Sequence, residues 1–471
     1  MKRLFSRRLA MPIVTLAVPI MIQGVLMNLM GFVDALMIGQ LGESAISALG
    51  NSQQLLSFLF LLMAAMSIGG SVLIAQHKGA ANLRAIDESA LAMVQIGLVA
   101  GVLLGSILFF WGEFLVGVLT TDVFKIDAEK SIVPAQAAVY LKIVALAMPF
   151  MLLGQLLTAA LNAVGDTKTP VKIAVTFNVV NFVLNYVLIF GFPLPGVWPA
   201  LFTPLGFKGA AIATFIAATS QGVVLFLVTR KKDNGINLSL KRLIGNYRAT
   251  LLHIFKLGYP NSIDGFYWQG ARVFYTVLMN AIGAIAYAAY TIVRTLKSLF
   301  MLPIGGLQTA TAVRIGHLLG AGQFQRAKAT AVIAMAVGIA IMLIPASLLI
   351  LFAKPLLSLY AIQPETEQLA YICTWILAGS LFFTAINAVI PGLLRAGGDA
   401  AAVMNITLIS FAVCGAPLAW ILGVYFKLGV VGAFVGISIE EAFKAGLFIF
   451  RMRQYKWLKQ VIRHPARKLG R

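Results

Sequence analysis

The chain has 471 residues, of which 60% are hydrophobic and only 11% charged, with a mean hydropathy of +0.91. That much apolar surface exceeds what a water-soluble core could hide, which excludes an ordinary soluble domain and makes lipid the solvent. The net charge of +21 does not point to nucleic acid, because the basic residues form no single patch interleaved with exposed aromatics and recur instead at alternate loops.

The opening Met1-Lys2-Arg3-Leu4-Phe5-Ser6-Arg7-Arg8 carries the charge of a signal peptide, but the apolar stretch behind it runs on too long and offers no small-residue cleavage site, so a retained first span is predicted. Apolar runs broken by charge, glycine and proline predict spans near 12–36, 48–75, 89–112, 134–160, 171–191, 209–229, 251–280, 285–312, 329–353, 369–393, 401–425 and 429–450. Runs such as Leu91 to Trp111, Ala329 to Phe352 and Ile406 to Tyr425 approach or reach the ~20 apolar residues that an α-helix rising ~1.5 Å per residue needs to cross ~30 Å of hydrocarbon. Gly and Ala within these segments let helices approach closely, and irregular backbone is excluded from lipid. The predicted fold class is therefore an all-α integral membrane protein with about twelve transmembrane helices. Cys373 and Cys414 fall inside spans without any Cys-x-x-Cys or Cys/His spacing and read as packing residues, with neither a disulfide framework nor a zinc site.

Lys and Arg crowd the N-terminus (Lys2, Arg3, Arg7, Arg8), the even-numbered loops (Lys78 and Arg84; Lys168; Arg230, Lys231, Lys232, Lys241, Arg242 and Arg248; Arg326 and Lys328; Arg395) and the tail from Arg451 to Arg471. The odd-numbered loops hold Lys125, Lys130, Lys208, Lys354 and Lys427. By the positive-inside rule this alternation predicts an even number of spans in the plasma (inner) membrane, with both termini cytoplasmic.

The two halves echo each other. Pro19 and Pro260 differ by 260 − 19 = 241, and the same offset relates Gly42 to Gly283, Gln76 to His317, and Gly79-Ala80 to Gly320-Ala321. Gly165-Asp166 matches Gly398-Asp399 at 233, and Leu205-Gly206-x-x-Gly209-Ala210 matches Leu428-Gly429-x-x-Gly432-Ala433 at 223. Six spans per repeat, with equivalent loops on the same side, predict a parallel duplication about an axis along the membrane normal, with a central cleft able to open to either side. The predicted domains are an N-terminal six-helix lobe at 1–229, a polar, basic cytoplasmic linker at 230–250, a C-terminal six-helix lobe at 251–450 and a basic cytoplasmic tail at 451–471.

Gly31-Phe32-Val33-Asp34-Ala35-Leu36-Met37-Ile38-Gly39-Gln40-Leu41-Gly42, the turn Ala75-Gln76-His77-Lys78-Gly79-Ala80 and the loop Val164-Gly165-Asp166-Thr167-Lys168-Thr169-Pro170 resemble motifs of the multidrug and toxic compound extrusion (MATE) family, and the duplication extends the resemblance over both lobes. The resemblance implies a V-shaped pair of six-helix lobes that exports amphipathic, often cationic, drug-like compounds in exchange for H⁺ or Na⁺. No other cofactor, no metal and no nucleic-acid partner is implied, only substrate and membrane lipid, and the protein is expected to act as a monomer.

Asp34 is the one carboxylate within the first-lobe spans, where a charge costs at least ~2.5 to ~3.5 kcal/mol, so it requires a partner or a proton. A carboxylate that loads and releases a proton as its access to water changes can couple an ion to a change of shape. Asn178, Asn181 and Asn185 fall at i, i+3 and i+7 on one face of the fifth span, where amides could bond Asp34. The other reading is that these amides are interhelical glue and Asp34 a neutral packing residue. The resemblance supports Asp34 and places Asn181 and Asn185 on polar fifth-span positions of the family, some relatives having a second acid where Asn185 stands. With a lone carboxylate H⁺ is the simpler coupling ion, although oxygens of the asparagines and of Thr176 could serve Na⁺.

In the second lobe Asp264, Trp268 and Arg272 recur at i, i+4 and i+8 of the seventh span, Arg294 and Lys297 lie in the eighth, and Glu440, Glu441 and Lys444 in the twelfth. Such charges should pair in hydrocarbon as a structural network, or form a second switch. The spacing of Asp264 after Pro260, and Asn387 in place of a carboxylate in the tenth span, depart from the sodium-coupled branch of the family. Met27, Met30, Phe32, Met37, Tyr267, Trp268 and Tyr275 lie near the predicted cleft, where thioethers and aromatic faces suit varied amphipathic cations, or serve as plain packing. Pro19 and Pro391 remove backbone hydrogen bonds and are candidate hinges or static kinks. Gly165-Asp166 and Gly398-Asp399 read as caps and turns.

Three function classes compete: a proton-coupled exporter, a flippase of lipid-linked or phosphorylated amphiphiles, whose cleft would need cations such as Arg272, Arg294 and Lys297, and a membrane enzyme. The enzyme is the weakest reading, because no His-Glu-x-x-His, Gly-x-Ser-x-Gly or phosphate-binding loop occurs, and His77, His253, His317 and His464 all lie at or beyond span edges.

Overall fold

A computed structural model of the chain describes residues 7–120, 132–191, 204–231, 235–358, 360 and 362–462. The basic positions Lys2, Arg3, Lys125, Lys130 and Lys232, and the tail beyond Ile462 with His464, lie outside the described residues. Among the described residues every regular element is a helix: α1 (Arg7–Gly39), α2 (Glu43–Gly79), α3 (Leu83–Leu119), α4 (Val133–Val164), α5 (Lys168–Phe190), α6 (Phe207–Arg230), α7 (Arg248–Ile282), α8 (Ala284–Gly320), α9 (Phe324–Leu357), α10 (Pro364–Ala396), α11 (Ala400–Ser410), α12 (Ala416–Trp420) and α13 (Gly429–Arg453). The wider turns Phe411–Gly415 and Ile421–Tyr425 join α11 to α12 and extend it, so that Ala400–Tyr425 runs as one helical stretch. A helix carried on wider turns in this way rearranges its backbone bonds without breaking. Each of the twelve predicted spans coincides with a helical stretch, which bears out the predicted all-α membrane fold.

Nine of these stretches are long and apolar enough to cross a bilayer by length and composition. The other three, α7, α8 and α13, are 35, 37 and 25 residues long. They fall short in composition because Asp264, Arg272, Arg294, Lys297, Glu440, Glu441 and Lys444 sit on them.

Two compact units divide the chain. The N-terminal unit comprises Ile22–Ile74 and Leu83–Lys256, and the C-terminal unit Met1–Met21, Ala75–Asn82 and Leu257–Arg471. Buried residues of α2, α3 and α4, among them Leu49, Leu108, Leu141, Met148 and Leu152, make the core of the first. Along α3, Gly97, Gly101 and Gly105 recur every fourth residue against the backbone or side chains of Leu153, Pro149 and Ala145 of α4, the close approach that stands in for a hydrophobic drive between helices in lipid. The linker is held by α3: Gln95 Nε2 donates to the carbonyls of Leu243 at 2.8 Å and Gly245 at 2.9 Å, and Asp87 Oδ1 accepts from Asn237 N at 2.7 Å. Burial there pushes the Asp87 carboxyl above the usual carboxylate range.

The division runs through α1. Ile13 and Ala17 pack with Ile304, Leu307 and Val389 in a core cluster of the C-terminal unit, and the changeover at Met21/Ile22 follows Pro19 by two residues (21 − 19). Helix α1 continues through Pro12 and Pro19, and α10 through the buried Pro391. A proline leaves the carbonyl four residues earlier without its helical donor, so α1 is weakest where its packing changes hands.

The sequence repeats recur as identical backbone devices. Gly165 at φ 100° and Gly398 at φ 72° close α4 and α10, with Asp166 N donating to Leu161 O at 3.0 Å and Asp399 N to Leu394 O at 2.9 Å, the bond pattern of a left-handed helix cap. At the ends of α2 and α8, Ala80 N bonds Gln76 O and Ala321 N bonds His317 O, both at 3.0 Å. These two turns meet within the C-terminal unit. A Cβ at Gly79 would collide with the His317 carbonyl, and one at Gly320 with the Gln76 carbonyl. The contact is therefore reciprocal, each repeat's glycine against the other's equivalent residue.

The segment after α13 straps this junction. Gln76 is fully buried. Its Nε2 donates to Ala396 O at 2.8 Å, and its Oε1 accepts from Val461 N at 2.7 Å. Gln460 Nε2 donates to Leu319 O at 3.0 Å, and Trp457 is buried with Nε1 on Met452 O. Because the glycine contact is backbone to backbone, Gly320→Val is expected to lower the thermal stability of the detergent-solubilised protein by about 1–3 kcal/mol. Gly379→Ala, where no neighbour approaches within 4 Å, is expected to leave the melting midpoint unchanged or slightly raised.

Candidate functional site

The polar residues gather at two places, one in each unit. In the N-terminal unit Asp34 of α1 and Asn185 of α5 each lie five residues before the end of their helix (39 − 34 and 190 − 185). Tyr140 of α4 and Thr214 of α6 lie seven residues after the start of theirs (140 − 133 and 214 − 207). At ~1.5 Å per residue all four occupy a similar depth, ~7 to ~11 Å inside the helix ends.

Asn185 Nδ2 donates to Asp34 Oδ1 at 2.6 Å and faces Asn181 Oδ1 at 3.2 Å. Asn185 and Asn181 are buried, at 1% and 7% exposure. Tyr140, also buried, lies beside the Thr214 side chain and near enough to Asp34 for its charge to act on it. The other two residues of the predicted set are not brought to the carboxylate. Thr176 is exposed and gives its hydroxyl proton to Lys172 O on its own helix at 3.0 Å, and Asn178 Nδ2 is buried without a hydrogen-bond partner. Tyr140 and Thr214 escaped the sequence reading because one aromatic and one hydroxyl in apolar spans read as packing. Only their shared depth with Asp34 singles them out.

The C-terminal unit arranges its charges as pairs. Arg395 Nη2 bonds Asp264 Oδ2 at 2.9 Å, Lys297 Nζ bonds Glu441 Oε1 at 3.1 Å, and Lys444 Nζ bonds Glu440 Oε1 at 3.0 Å. At the two glutamates the second oxygen is also taken: Asn387 Nδ2 donates to Glu441 Oε2 at 2.6 Å, and the Tyr275 hydroxyl to Glu440 Oε2 at 2.7 Å, whereas Asp264 Oδ1 is buried without a hydrogen-bond partner. Lys444 is 2% exposed and lies 5.0 Å from the centre of the Trp268 ring. Arg395, assigned by sequence to a cytoplasmic loop, thus turns inward from the last turn of α10 to Asp264. At the turn after α10, Arg451 grips both oxygens of Asp399 at 2.8 and 2.9 Å. Arg272 and Arg294 join none of these pairs. Among the described residues no carboxylate stands within ion-pair distance of either.

The residues assigned to substrate contact divide. Met27 and Phe32 are exposed, at 64% and 62%, and Met30 is half-buried. Met37 instead belongs to the core of the N-terminal unit. Tyr267 lies edge-on to Phe411 and Trp268, and Trp268 is exposed. Tyr275 is buried with its hydroxyl committed to Glu440.

In hydrocarbon a pair stabilises mainly by preventing an isolated charge, so removing one partner is the costly change. Glu441→Gln strands Lys297 and is expected to destabilise the detergent-solubilised protein by about 3–5 kcal/mol. Replacing Lys297→Met in the same chain should restore most of the melting midpoint, and a single variant as stable as wild type would mean that the pair carries no weight.

The MatE family profile matches residues 19–187 and 266–421, which takes in Asp34 and the asparagines of α5. A probable multidrug resistance protein NorM of Thermotoga maritima is 26% identical over 97% of this chain and 96% of its own length. A probable multidrug resistance protein YoeA of Bacillus subtilis is 29% identical over 94% and 93%. Among solved structures, the outward-facing conformation of a multidrug resistance MATE family transporter superposes with a TM-score of 0.84 over 95% of this chain and 96% of that one, at 21% identity, a likeness of fold. With both repeats matched by one profile and the full length shared with these relatives, the chain is a multi-pass membrane protein that belongs to the MatE family of multidrug efflux transporters.

Proposed function

We propose that the chain is a secondary antiporter that exports amphipathic, often cationic, compounds in exchange for protons by alternating access, with Asp34 as the group that carries the proton. The observation that supports this assignment most is the nature of the partners. Asp264, Glu440 and Glu441 each face a cation, and protonating any of them would strand a buried positive charge. Asp34 faces a neutral amide. It can therefore be neutralised without leaving an uncompensated ion, which makes its two protonation states close enough in free energy to be cycled.

The amide supports both states. With Asp34 ionised, the Asn185 N–H donates to the carboxylate, a charge-assisted bond of about 1.5–3 kcal/mol. Asn185 Oδ1 is buried and has no partner, so a protonated Asp34 has an acceptor for its O–H within the same residue. The change from accepting to donating alters the pull between α1 and α5, and α1 is the helix whose packing divides between the two units. In this reading Pro19 and the changeover behind it let the Asp34 end of α1 shift.

A proton is favoured over Na⁺ because the side chain facing Asp34 presents an N–H, and Thr176 spends its hydroxyl on its own helix, whereas Na⁺ would need several converging oxygens. The alternation of basic loops supports cytoplasmic termini in the plasma (inner) membrane. That orientation puts Asp34 nearer the outer face, where an inward proton gradient would load it.

Reconstituted into proteoliposomes, the wild type is expected to release protons on addition of a cationic dye and to export the dye when a proton gradient is imposed. Asp34→Asn should insert and melt like wild type but export no faster than protein-free vesicles. Asn185→Ala should slow coupled export by about tenfold, the weight of one hydrogen bond to a charged group. An Asp34→Asn protein that still exchanges protons for dye overturns the assignment, and export driven by a Na⁺ gradient alone overturns the choice of ion.

A further inference from the structure

The start of α11 and the end of α13 enclose a groove of about 390 Å³ within the C-terminal unit. Its apolar wall includes Ile406 of α11 with Leu447 and Phe450 of α13. The helices on either side face hydrocarbon. On α13 the charged Glu440, Glu441 and Lys444 are buried, whereas Ile439, Phe443 and Phe450, at i, i+4 and i+11, are exposed. Ile409 and Val413, on the stretch that begins with α11, are exposed as well. Charges turned inward and large apolar side chains turned outward are the pattern of helices solvated by lipid.

Depth divides the groove into two ends. The 25 residues of α13 span ~37 Å against ~30 Å of hydrocarbon, so that a centred helix reaches the headgroups over its last ~4 Å. Arg451 lies two residues from that end (453 − 451) and Leu447 six (453 − 447), or ~3 Å and ~9 Å. The polar end therefore stands at headgroup level and the apolar end among the first acyl carbons.

At the polar end Asp399 and Arg451 form a neutral pair, joined at 2.8 and 2.9 Å, with side chains 10% and 24% exposed. Asp399 makes no side-chain cap on α11, unlike its repeat equivalent Asp166, which bonds Thr169 N at 3.1 Å. Arg451 Nη1 donates in addition to Gln454 Oε1 at 3.0 Å. These bonds use three of the five guanidinium N–H groups and two of the four lone-pair sites of the carboxylate. Left over are donors on Arg451 and on Gln454 Nε2, the amide of the exposed Asn405, and acceptor sites on Asp399. Donors and acceptors side by side at zero net charge complement a headgroup that carries both a phosphate and an ammonium bearing N–H groups. A choline headgroup has no N–H to give Asp399, and a glycerol headgroup brings no cation.

We propose that the groove between α11 and α13 seats one phosphatidylethanolamine molecule, its phosphate on Arg451, Gln454 and Asn405, its ammonium on Asp399, and an acyl chain along Ile406 and Leu447. The site goes beyond the exporter reading and does not depend on it.

The test is native mass spectrometry of the full chain released from detergent and titrated with phosphatidylethanolamine, phosphatidylcholine and phosphatidylglycerol of identical acyl chains. The wild type should take one phosphatidylethanolamine about tenfold or more tightly than either other lipid, the weight of one hydrogen bond to a charged group. Asn405→Leu with Gln454→Leu, which leaves the Asp399–Arg451 pair in place, should remove about tenfold of that preference. Ala401→Trp fills the groove from an exposed position and should abolish the first binding event without removing a polar group. If the double Leu protein fails to fold, as read by its melting and elution, the two single variants and Ala401→Trp decide. Equal affinity of the wild type for the three lipids overturns the proposal, as does a preference for phosphatidylglycerol, which would mean that net charge alone is read. Unchanged phosphatidylethanolamine binding by Ala401→Trp overturns the location. Dye export under a proton gradient is a separate measurement, and its failure with lipid selectivity intact removes the exporter reading and leaves the lipid site standing.

Discussion

A carboxylate held at the depth of the hydrocarbon layer must find its partners within the protein, since lipid offers none, and this constraint sorts the buried acids of the bundle. In the C-terminal unit it is met by cations: Lys297, Lys444 and Arg395 each close on an acid, and amide or phenol donors fill the remaining oxygens at Glu441 and Glu440. Such pairs hold a lobe in one arrangement because breaking either partner is expensive. In the N-terminal unit it is met by an amide alone, at Asp34. On the proposed function, the difference separates a frame from a switch: a carboxylate opposite a cation is held in one charge state, whereas the proposal has the one opposite Asn185 change state, with the amide able to serve either as donor or as acceptor.

The duplication is conservative about backbone and liberal about chemistry. Gly165 and Gly398 make the same cap, and the turns after Gln76 and His317 make the same bonds. Those positions answer to geometry that no other residue type supplies as cheaply, a left-handed φ or a contact with a neighbour's carbonyl. Side chains around them have diverged. Asp166 caps the next helix through Thr169 N, while its equivalent Asp399 anchors Arg451. Gln76 ties the strap of residues after α13.

Much of this was legible in the sequence. Twelve apolar stretches, their alternating basic loops and the offsets of 241, 233 and 223 are properties of local composition and order, and span length follows from the rise of a helix against the thickness of a bilayer. Asp34 stood out for the same kind of reason, as a lone acid in an apolar run, and the four-residue spacing of Asn181 and Asn185 put both on one face of α5. Thr176 shared that neighbourhood on paper but spends its hydroxyl on a carbonyl of its own helix, a choice that depends on rotamer and exposure.

What only the tertiary structure decided is which charge meets which. Sequence order placed Arg395 in a loop, set Asp264 and Arg272 on one face of the seventh span and put Arg294 beside Lys297 in the eighth. Packing of α7, α8 and α10 brought Arg395 to Asp264 and left Arg294 over the Tyr290 ring. The assignment of the first part of α1 and the last turn of α2 to the C-terminal unit also has no signature along the chain. The physical reason is common to both: helix formation and membrane insertion are written in neighbouring residues, whereas a partner reached across a helix interface is a matter of depth, face and rotation, which residues far apart in sequence settle together.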